Sequence, residues 1–308
     1  MNRIPVIIDT DPGVDDFFCI AIGCANPDKF DLKAITTIGG NNFTRVTTQN
    51  ALNILKLLNT EVPVAPGADR FLTEEFGEPV VSAHGRNGVG EAVLTVSDRA
   101  PEPVRAWDMI YRTAVECEGD LHLVTVGPVT NVALAFLKYP DLPSLIKKIT
   151  CMGGSTLEGN MNAYGEANIA HDALAAKIVF NSGVPIDMIG LNVTLRCNVG
   201  RDIFDKMSET TRPEVRKVMQ QLIDFRRGEA MHDAVAIATL VDDSWIEWKE
   251  TRVDVEAHSE KAKGWTMMAP TRIPKDERIH RVAWDMKIEG YYAIFERMAK
   301  YYTEEQGR

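Results

Sequence analysis

The chain has 308 residues, of which 45% are hydrophobic and 25% are charged, as in an ordinary globular protein. Its formal net charge of −10, with no block of Lys and Arg to offset it, excludes attraction to a nucleic-acid backbone through the overall field. No apolar run is long enough to cross a membrane. The five cysteines show no C-x-x-C spacing, and no signal peptide is recognised at the N-terminus, so we expect a cytoplasmic protein.

The first third of the chain alternates between short apolar strands and amphipathic helices. Strands are predicted at residues 4–9, 32–38 and 62–65, and helices between them at residues 14–25 and 46–58. Residues 67–103 have no predicted element, and a loop of this length in a compact domain usually has a function or is mobile.

The same alternation returns after this loop. Its elements are, in chain order, a strand at residues 122–126, a helix at 129–137, a strand at 146–152, a helix at 173–180 and a strand at 186–189. Repeated β-loop-α units predict an open, mostly parallel, Rossmann-like α/β sheet with helices on both faces. Ligands of such sheets bind beyond the carboxyl ends of the strands, so we expect the functional residues there.

The C-terminal third is predicted to be mainly helical. One helical stretch covers residues 212–240 with a break near Gly228, and a last helix covers residues 286–301. Strand-like pieces at residues 252–256 and 266–268 predict a small β-extension. Because no linker or repeat separates these parts, residues 1–308 are assigned to a single domain.

Four carboxylates follow the first strand, in the segment Asp9-Thr10-Asp11-Pro12-Gly13-Val14-Asp15-Asp16. Helix capping is one interpretation, because acidic residues before a helix and in its first turn are favourable. Capping does not need four charges, however, and their mutual repulsion costs free energy. A hard divalent cation, Ca²⁺ or Mg²⁺ rather than zinc, would remove that repulsion and is the favoured interpretation.

The acidic segment resembles the N-terminal signature of the inosine-uridine-preferring nucleoside hydrolases. The resemblance continues, in order, through the motifs Gly40-Asn41, His84-Gly85, Val126-Gly127-Pro128-Val129-Thr130-Asn131, Met152-Gly153-Gly154, Gly159-Asn160, Glu166-Ala167-Asn168-Ile169 and His232-Asp233. It implies a Ca²⁺-dependent enzyme that uses water to split a ribonucleoside into ribose and free base. It also implies assembly as a homodimer or homotetramer.

The resemblance implies a role for each matched position. Asp11 is the expected general base and also a metal ligand, and the other expected ligands are Asp16, Asp233 and the backbone carbonyl of Val126. Asp9 is expected to support the site from behind the ligands. The expected substrate-binding residues are Asp15, Asn41, His84, Met152, Asn160, Glu166 and Asn168.

His232 is the candidate group that assists the departing base, by protonation or hydrogen bonding. It precedes Asp233, so a metal ligand would hold it near the substrate, and histidine titrates near neutral pH. A structural histidine at a helix start is the alternative. Similarly, Glu166 is a candidate cap of the helix at residues 173–180, and Asn160 and Asn168 are candidate turn residues.

Two departures from the family pattern affect the substrate pocket. Ala167 replaces the aromatic residue that is usual between the Glu and the Asn, which removes bulk beside the 5′ end of the sugar. Residues 225–229 do not match the usual base-pocket helix, and Arg226 and Arg227 within them indicate a different pocket or a mobile flap.

Two other functions are alternatives. The start Asp9-Thr10-Asp11 also resembles the D-x-D motif of haloacid-dehalogenase-type phosphatases, with Asp9 as nucleophile and Mg²⁺ bound, but this leaves Asp15 and Asp16 unexplained. A non-catalytic ribose- or nucleoside-binding protein is the second alternative. The complete set of acids gives no support for a loss of activity.

Overall fold

A computed structural model describes residues 3–269, 273, 274, 277 and 279–303. Its strands are β1 (Ile4–Thr10), β2 (Phe30–Thr37), β3 (Val64–Pro66), β4 (Leu121–Thr125), β5 (Ile146–Met152), β6 (Ile186–Ile189), β7 (Ile246–Thr251), β8 (Val253–Val255), β9 (Thr266–Met268) and β10 (His280–Met286). Its helices are α1 (Val14–Cys24), α2 (Thr44–Leu57), α3 (Val81–His84), α4 (Ala106–Glu116), α5 (Thr130–Lys138), α6 (Ala167–His171), α7 (Ala173–Phe180), α8 (Leu191–Thr194), α9 (Arg201–Met207), α10 (Pro213–Arg226), α11 (His232–Val241) and α12 (Ile288–Tyr301).

Among the described residues, eight strands form a central sheet in the order β3-β2-β1-β4-β5-β6-β10-β7. Neighbouring strands are parallel except β7, which pairs antiparallel with β10 at one edge. β8 and β9 form a separate antiparallel pair. The predicted mostly parallel α/β fold and its small β-extension are therefore confirmed.

The central sheet separates two apolar layers. Val6 and Ile8 of β1 pack into one layer and Ile7 into the other, because alternate residues of a strand point to opposite faces. Helices α1, α2, α11 and α12 contribute to the first layer, and α4, α5 and α7 to the second. Burial on both faces explains why the parallel strands read as continuous apolar runs.

In the C-terminal third, the start of the last helix differs from the prediction, whereas the predicted break near Gly228 is present. The last helix begins at Ile288 and not at residue 286, because Met286 still pairs with Ile246 as the end of β10. The stretch at residues 212–240 is divided into α10 and α11, which confirms the predicted break. Arg227 is left-handed (φ 53°) and Gly228 follows with φ 82°, a conformation that ends a helix.

The long connection predicted at residues 67–103 is confirmed, since only the short α3 interrupts the chain between β3 and α4. The five cysteines are free. Within the described part of the chain, no helix combines the length and apolarity of a membrane span. The assignment of residues 1–308 to one domain extends beyond the described residues and stays a prediction.

Asn131, in the first turn of α5, ties together the carboxyl ends of β1 and β2. Its Nδ2 donates to Asp9 Oδ1 at 2.8 Å and to the carbonyl of Thr37 at 3.1 Å, and its Oδ1 accepts from Ala68 N at 3.0 Å. Asn131 and its partners are buried. The amide thus fixes the edge of the sheet from which the functional loops emerge.

We expect Asn131→Ala to lower the free energy of unfolding by about 2–4 kcal/mol, because it leaves several buried polar groups without partners. Urea denaturation followed by circular dichroism measures this loss. Asn181→Ala, which removes an exposed amide, is the matched control and should cost about 0.5 kcal/mol or less. Similar losses in both variants would contradict the role given to Asn131.

Candidate functional site

The carboxyl ends of the central strands surround a cavity of about 280 Å³. Its walls come from the loops after β1, β2, β4 and β5 and from the start of α11, as expected for a parallel sheet. The predicted site residues that line it are Asp11, Asp15, Asn41, His84, Val126, Met152, Asn160, Glu166, Asn168, His232 and Asp233. The remaining one, Asp16, is buried beside Asp15 and Asp233. The structure brings these residues together, while their individual roles stay predictions.

Asp11 lies between two glycines that leave no room for a side chain. A Cβ on Gly40 would come within 2.2 Å of Asp11 Oδ2, and a Cβ on Gly127 within 2.6 Å of Oδ1. Oδ2 accepts from Asn41 N at 2.8 Å, whereas Oδ1 is buried without a protein partner. The N-cap of α1 is Gly13, so the capping interpretation fails for Asp11. A buried, unpartnered carboxylate oxygen fits a ligand that the protein itself does not supply.

Three further carboxylates meet where α1 and α11 begin. Asp15, Asp16 and Asp233 are buried, and each offers an oxygen within 4.8 Å of the others. Asp16 is fixed by Thr10 Oγ1 at 2.5 Å and by Gly13 N at 2.8 Å, while Asp15 Oδ1 has no partner. Because these donors are all hard oxygens, the cluster could hold a divalent metal ion.

Burial and mutual repulsion shift the titration of these acids. Burial raises the pKa of Asp16 to about 6, and the charge of Asp15 adds to the shift. Burial, followed by the charges of neighbouring aspartates, also raises the pKa of Asp11 and of Asp233 well above the usual carboxyl range. A bound cation would oppose these shifts because it favours the ionised form.

Asp15 behaves differently because a buried arginine is close to it. Burial alone would raise the pKa of Asp15, but the charge of Arg226 lowers it below its ordinary value. Arg226 is 6% exposed, lines the cavity and donates to a backbone carbonyl of the following loop. Arg227 is exposed. Of the two arginines, Arg226 therefore lines the cavity, and whether this wall differs from that of relatives stays a prediction.

His84 faces the cavity as a neutral ring. Its Nδ1 accepts from Val14 N at 3.2 Å, which leaves the ring proton on Nε2. Burial lowers the pKa of His84 to about 4. Although Nδ1 lies 4.0 Å from Asp15 Oδ1, a neutral ring forms no ion pair with that carboxylate.

His232 is the first residue of α11, as the helix-start alternative predicted, and it also lines the cavity. Its Nδ1 lies 2.8 Å from Oγ1 of Thr194, the last residue of α8. Burial lowers the pKa of His232. Thr194 therefore holds the Nδ1 side of the His232 ring, and the ring also lines the cavity.

Glu166 is a helix cap, but of α6 and not of α7, which Asp172 caps. Three backbone amides donate to the Glu166 carboxylate at 3.0–3.2 Å. Burial nevertheless raises the pKa of Glu166 to about 7. Asn168 Nδ2 donates to the carbonyls of Met152 at 3.2 Å and Val126 at 3.3 Å, which links the ends of β5 and β4.

Asn41 and Asn160 each bind protein groups as well as lining the cavity. Asn41 Nδ2 donates to the carbonyl of Asp11 at 3.1 Å and to Asp16 Oδ2 at 3.2 Å, so it bridges the acidic cluster. Asn160, which is exposed, accepts from Ala167 N at 2.9 Å, as a turn residue would.

Two threonines without a predicted role position site residues: Thr10 binds Asp16 and Thr194 contacts His232. Thr10 lies inside the acidic motif, and its place directly after the strand was a usable signal for a hydroxyl next to the acids. Thr194 lies in no recognised motif, and nothing in the sequence pairs it with His232.

Comparison with known proteins identifies the family. The model of the inosine-uridine preferring nucleoside hydrolases matches residues 6–293. The chain is 34% identical to the pyrimidine-specific ribonucleoside hydrolase RihA of Photobacterium profundum, over 98% of this chain and 100% of that protein. It is also 34% identical to the non-specific ribonucleoside hydrolase RihC of Shigella flexneri, over 94% of this chain and 96% of that protein.

Solved structures agree with this result. The purine-preferring ribonucleoside hydrolase from Gardnerella vaginalis has a TM-score of 0.88 and 31% identity, over 96% of this chain and 99% of that one. The chain belongs to the inosine-uridine-preferring nucleoside hydrolase family. It is thus a hydrolase of the N-glycosidic bond of ribonucleosides, and the phosphatase and non-catalytic alternatives are not favoured.

The raised pKa values predict how stability depends on pH when metal is removed. The folded-state pKa of both Asp9 and Asp16 is about 6, against an ordinary value of 3.8. The folded protein therefore keeps protons that the unfolded chain has released, and ionisation opposes folding. The stabilisation from these groups is complete below pH 3.8 and is lost as the pH rises through about 6.

Asp16→Asn removes one of these ionisations. In EDTA, we expect the variant to gain on the order of 1–3 kcal/mol relative to the unmodified chain between pH 4.5 and 7.5. Urea unfolding of both proteins at the two pH values measures the gain. A difference in stability that does not change with pH would contradict the raised pKa of Asp16.

Proposed function

We propose that the protein is a Ca²⁺-dependent ribonucleoside hydrolase that releases ribose and a free purine or pyrimidine base. The observation that carries the proposal is the cluster of buried carboxylates in the cavity, in which Asp11 Oδ1 and Asp15 Oδ1 have no protein partner. Such oxygens require a ligand, and a cation together with sugar hydroxyls and water would supply it.

Ca²⁺ is the proposed cofactor, held by the carboxylates of Asp11, Asp16 and Asp233 and by the backbone carbonyl of Val126. The all-oxygen donor set supports this proposal, since Ca²⁺ accepts about six to eight oxygen ligands in flexible geometry. When bound, the cation supplies Lewis acidity that lowers the pKa of water at the site.

Asp11 is the proposed general base. Its position between Gly40 and Gly127, with one oxygen held by Asn41 N, orients the unpartnered oxygen. Asp11 accepts a proton from water while the water oxygen bonds to C1′ of the ribose. The bond from C1′ to the base breaks, its electron pair goes to the base, and the base finally gains the proton that water lost.

The remaining cavity residues are proposed to hold the ribose and favour its reacting state. Positive charge develops on the sugar in an oxocarbenium-like transition state, and nearby carboxylates stabilise it. Arg226 lowers the pKa of Asp15, which supports an ionised Asp15 carboxylate in the cavity wall. The proposed ribose- and base-contacting residues are Asp15, Asn41, His84, Met152, Asn160, Glu166 and Asn168.

His232 is proposed to assist the departing base by hydrogen bonding or protonation. Its place in the cavity wall, next to Asp233, supports this role because a ribose held by the metal site would present its base nearby. The proposed assembly is a homodimer or homotetramer in the cytoplasm, which follows from the family resemblance and the five free cysteines.

The direct test measures release of reducing sugar from a panel of ribonucleosides. The panel includes purine and pyrimidine substrates because the named relatives differ in base preference. We expect ribose release that EDTA stops and that added Ca²⁺ restores better than Mg²⁺. Release that persists in EDTA would argue against the cofactor. Absence of release from every nucleoside would reject the proposed function.

Asp11→Asn should lower kcat by about 10²–10⁴-fold at saturating Ca²⁺, because the amide keeps the shape of the side chain but cannot accept the proton. Steady-state assays with the best nucleoside measure the loss. Asp242→Asn, at an exposed position after α11, is the control and should retain full activity. Unchanged kcat in Asp11→Asn would remove Asp11 from the mechanism.

A further inference from the structure

The imidazole of His232 is held by a fully buried hydroxyl. Thr194 is 0% exposed, and its Oγ1 lies 2.8 Å from His232 Nδ1. The proton of a buried hydroxyl requires an acceptor, and within the described residues Nδ1 is the only group that the Thr194 hydroxyl contacts by a hydrogen bond. The hydroxyl therefore donates and Nδ1 accepts, which places the ring proton of the neutral imidazole on Nε2.

The Thr194 hydroxyl is held in place because its side chain is short and its backbone belongs to α8. Gly190 follows β6 and is the N-cap of α8, and Thr194 N donates to the carbonyl of Gly190 at 3.1 Å. α8 packs against α11, whose first residue is His232. A short β-branched side chain on α8 thus meets the ring at the start of α11. Both helices also pack against strands of the central sheet.

We propose that Thr194 is a positioning residue that holds His232 in the Nε2–H tautomer and presents Nε2 to the departing base. This inference rests on the proposed function. His232 lines the substrate cavity, and no hydrogen bond among the described residues occupies its Nε2. As the glycosidic bond breaks, its electron pair moves to the base, and the N–H at Nε2 stabilises that charge. The proton that the base gains comes from the attacking water. The Nε2 proton of His232 therefore stays on the ring, and the imidazole is neutral before and after the reaction.

Matched variants isolate the hydroxyl. Thr194→Val removes it and keeps a branched side chain, whereas Thr194→Ser keeps it and removes a methyl group. Thr239→Val is the control for the general cost of this substitution, because Thr239 is a buried residue of α11 whose Oγ1 donates to the carbonyl of Ala236 at 2.8 Å. Thermal unfolding of all three variants shows whether each is folded at the assay temperature.

The kinetic readout compares two leaving groups. A nucleoside needs help for its departing base, whereas 4-nitrophenyl β-D-ribofuranoside has a stable leaving group that needs little help. We expect Thr194→Val to lower kcat for nucleosides about tenfold, the rate equivalent of one lost hydrogen bond, and to change the nitrophenyl reaction by less than about twofold. Thr194→Ser should restore most of the loss, and Thr239→Val should leave the ratio of the two rates unchanged. Equal losses on both substrates, or no rescue by Ser, would overturn the proposal.

The second readout does not depend on turnover. The ¹⁵N chemical shifts of the histidine rings report which nitrogen carries the proton, and the His232 signals are assigned by their loss in His232→Gln. We expect the Nε2–H tautomer in the unmodified protein and a mixture of tautomers in Thr194→Val. A proton on Nδ1 in the unmodified protein would overturn the inference even if the enzyme is active. If the unmodified protein cleaves neither substrate, the proposed function and the catalytic part of this inference fall, while the NMR result still decides whether Thr194 sets the tautomer.

Discussion

Repulsion among buried carboxylates is the constraint on which the rest of this site depends. Asp9, Asp11, Asp15, Asp16 and Asp233 are all nearly inaccessible to solvent, although burying a charge without a partner is costly. The protein offsets part of that cost with hydrogen bonds from threonine, asparagine and backbone groups and with the buried guanidinium of Arg226. Protonation lowers the remaining cost at low pH, and the proposed cation would lower it at neutral pH. The two glycines beside Asp11 and the short loops after the strands keep this arrangement compact.

The elements whose bounds were predicted correctly have apolar runs with well-defined ends. β5, β6 and α7 have the predicted bounds, because their apolar runs end abruptly at glycine, proline or polar residues. The antiparallel edge was missed for the opposite reason. β10 carries Arg281, Asp285 and a Trp284 that is 40% exposed, so its pattern does not separate it from a loop. Its partner β7 has only six residues, of which Glu247, Lys249 and Glu250 are charged, and it lies at the edge of the sheet.

Local sequence predicted the acids of the site because four of them are close together in the chain and share one strand end. It could not predict contacts that depend on how distant helices pack. The pairing of Thr194 with His232 requires the angle between α8 and α11, which no motif encodes. Glu166 shows the intermediate case. Both its cavity position and its capping role were foreseen, but the capped helix is the short α6, which was too brief to recognise.

The first turn after β1 and the start of α11 lie far apart in the chain but pack together, since α1 contacts α11. During synthesis on a ribosome, the early acids therefore emerge long before Asp233 and His232. A nascent chain that ends before α11 has an acidic cluster without its last carboxylate and a cavity without one wall. The candidate site consequently forms only near the end of translation, and a chain that ends before α11 lacks both Asp233 and His232.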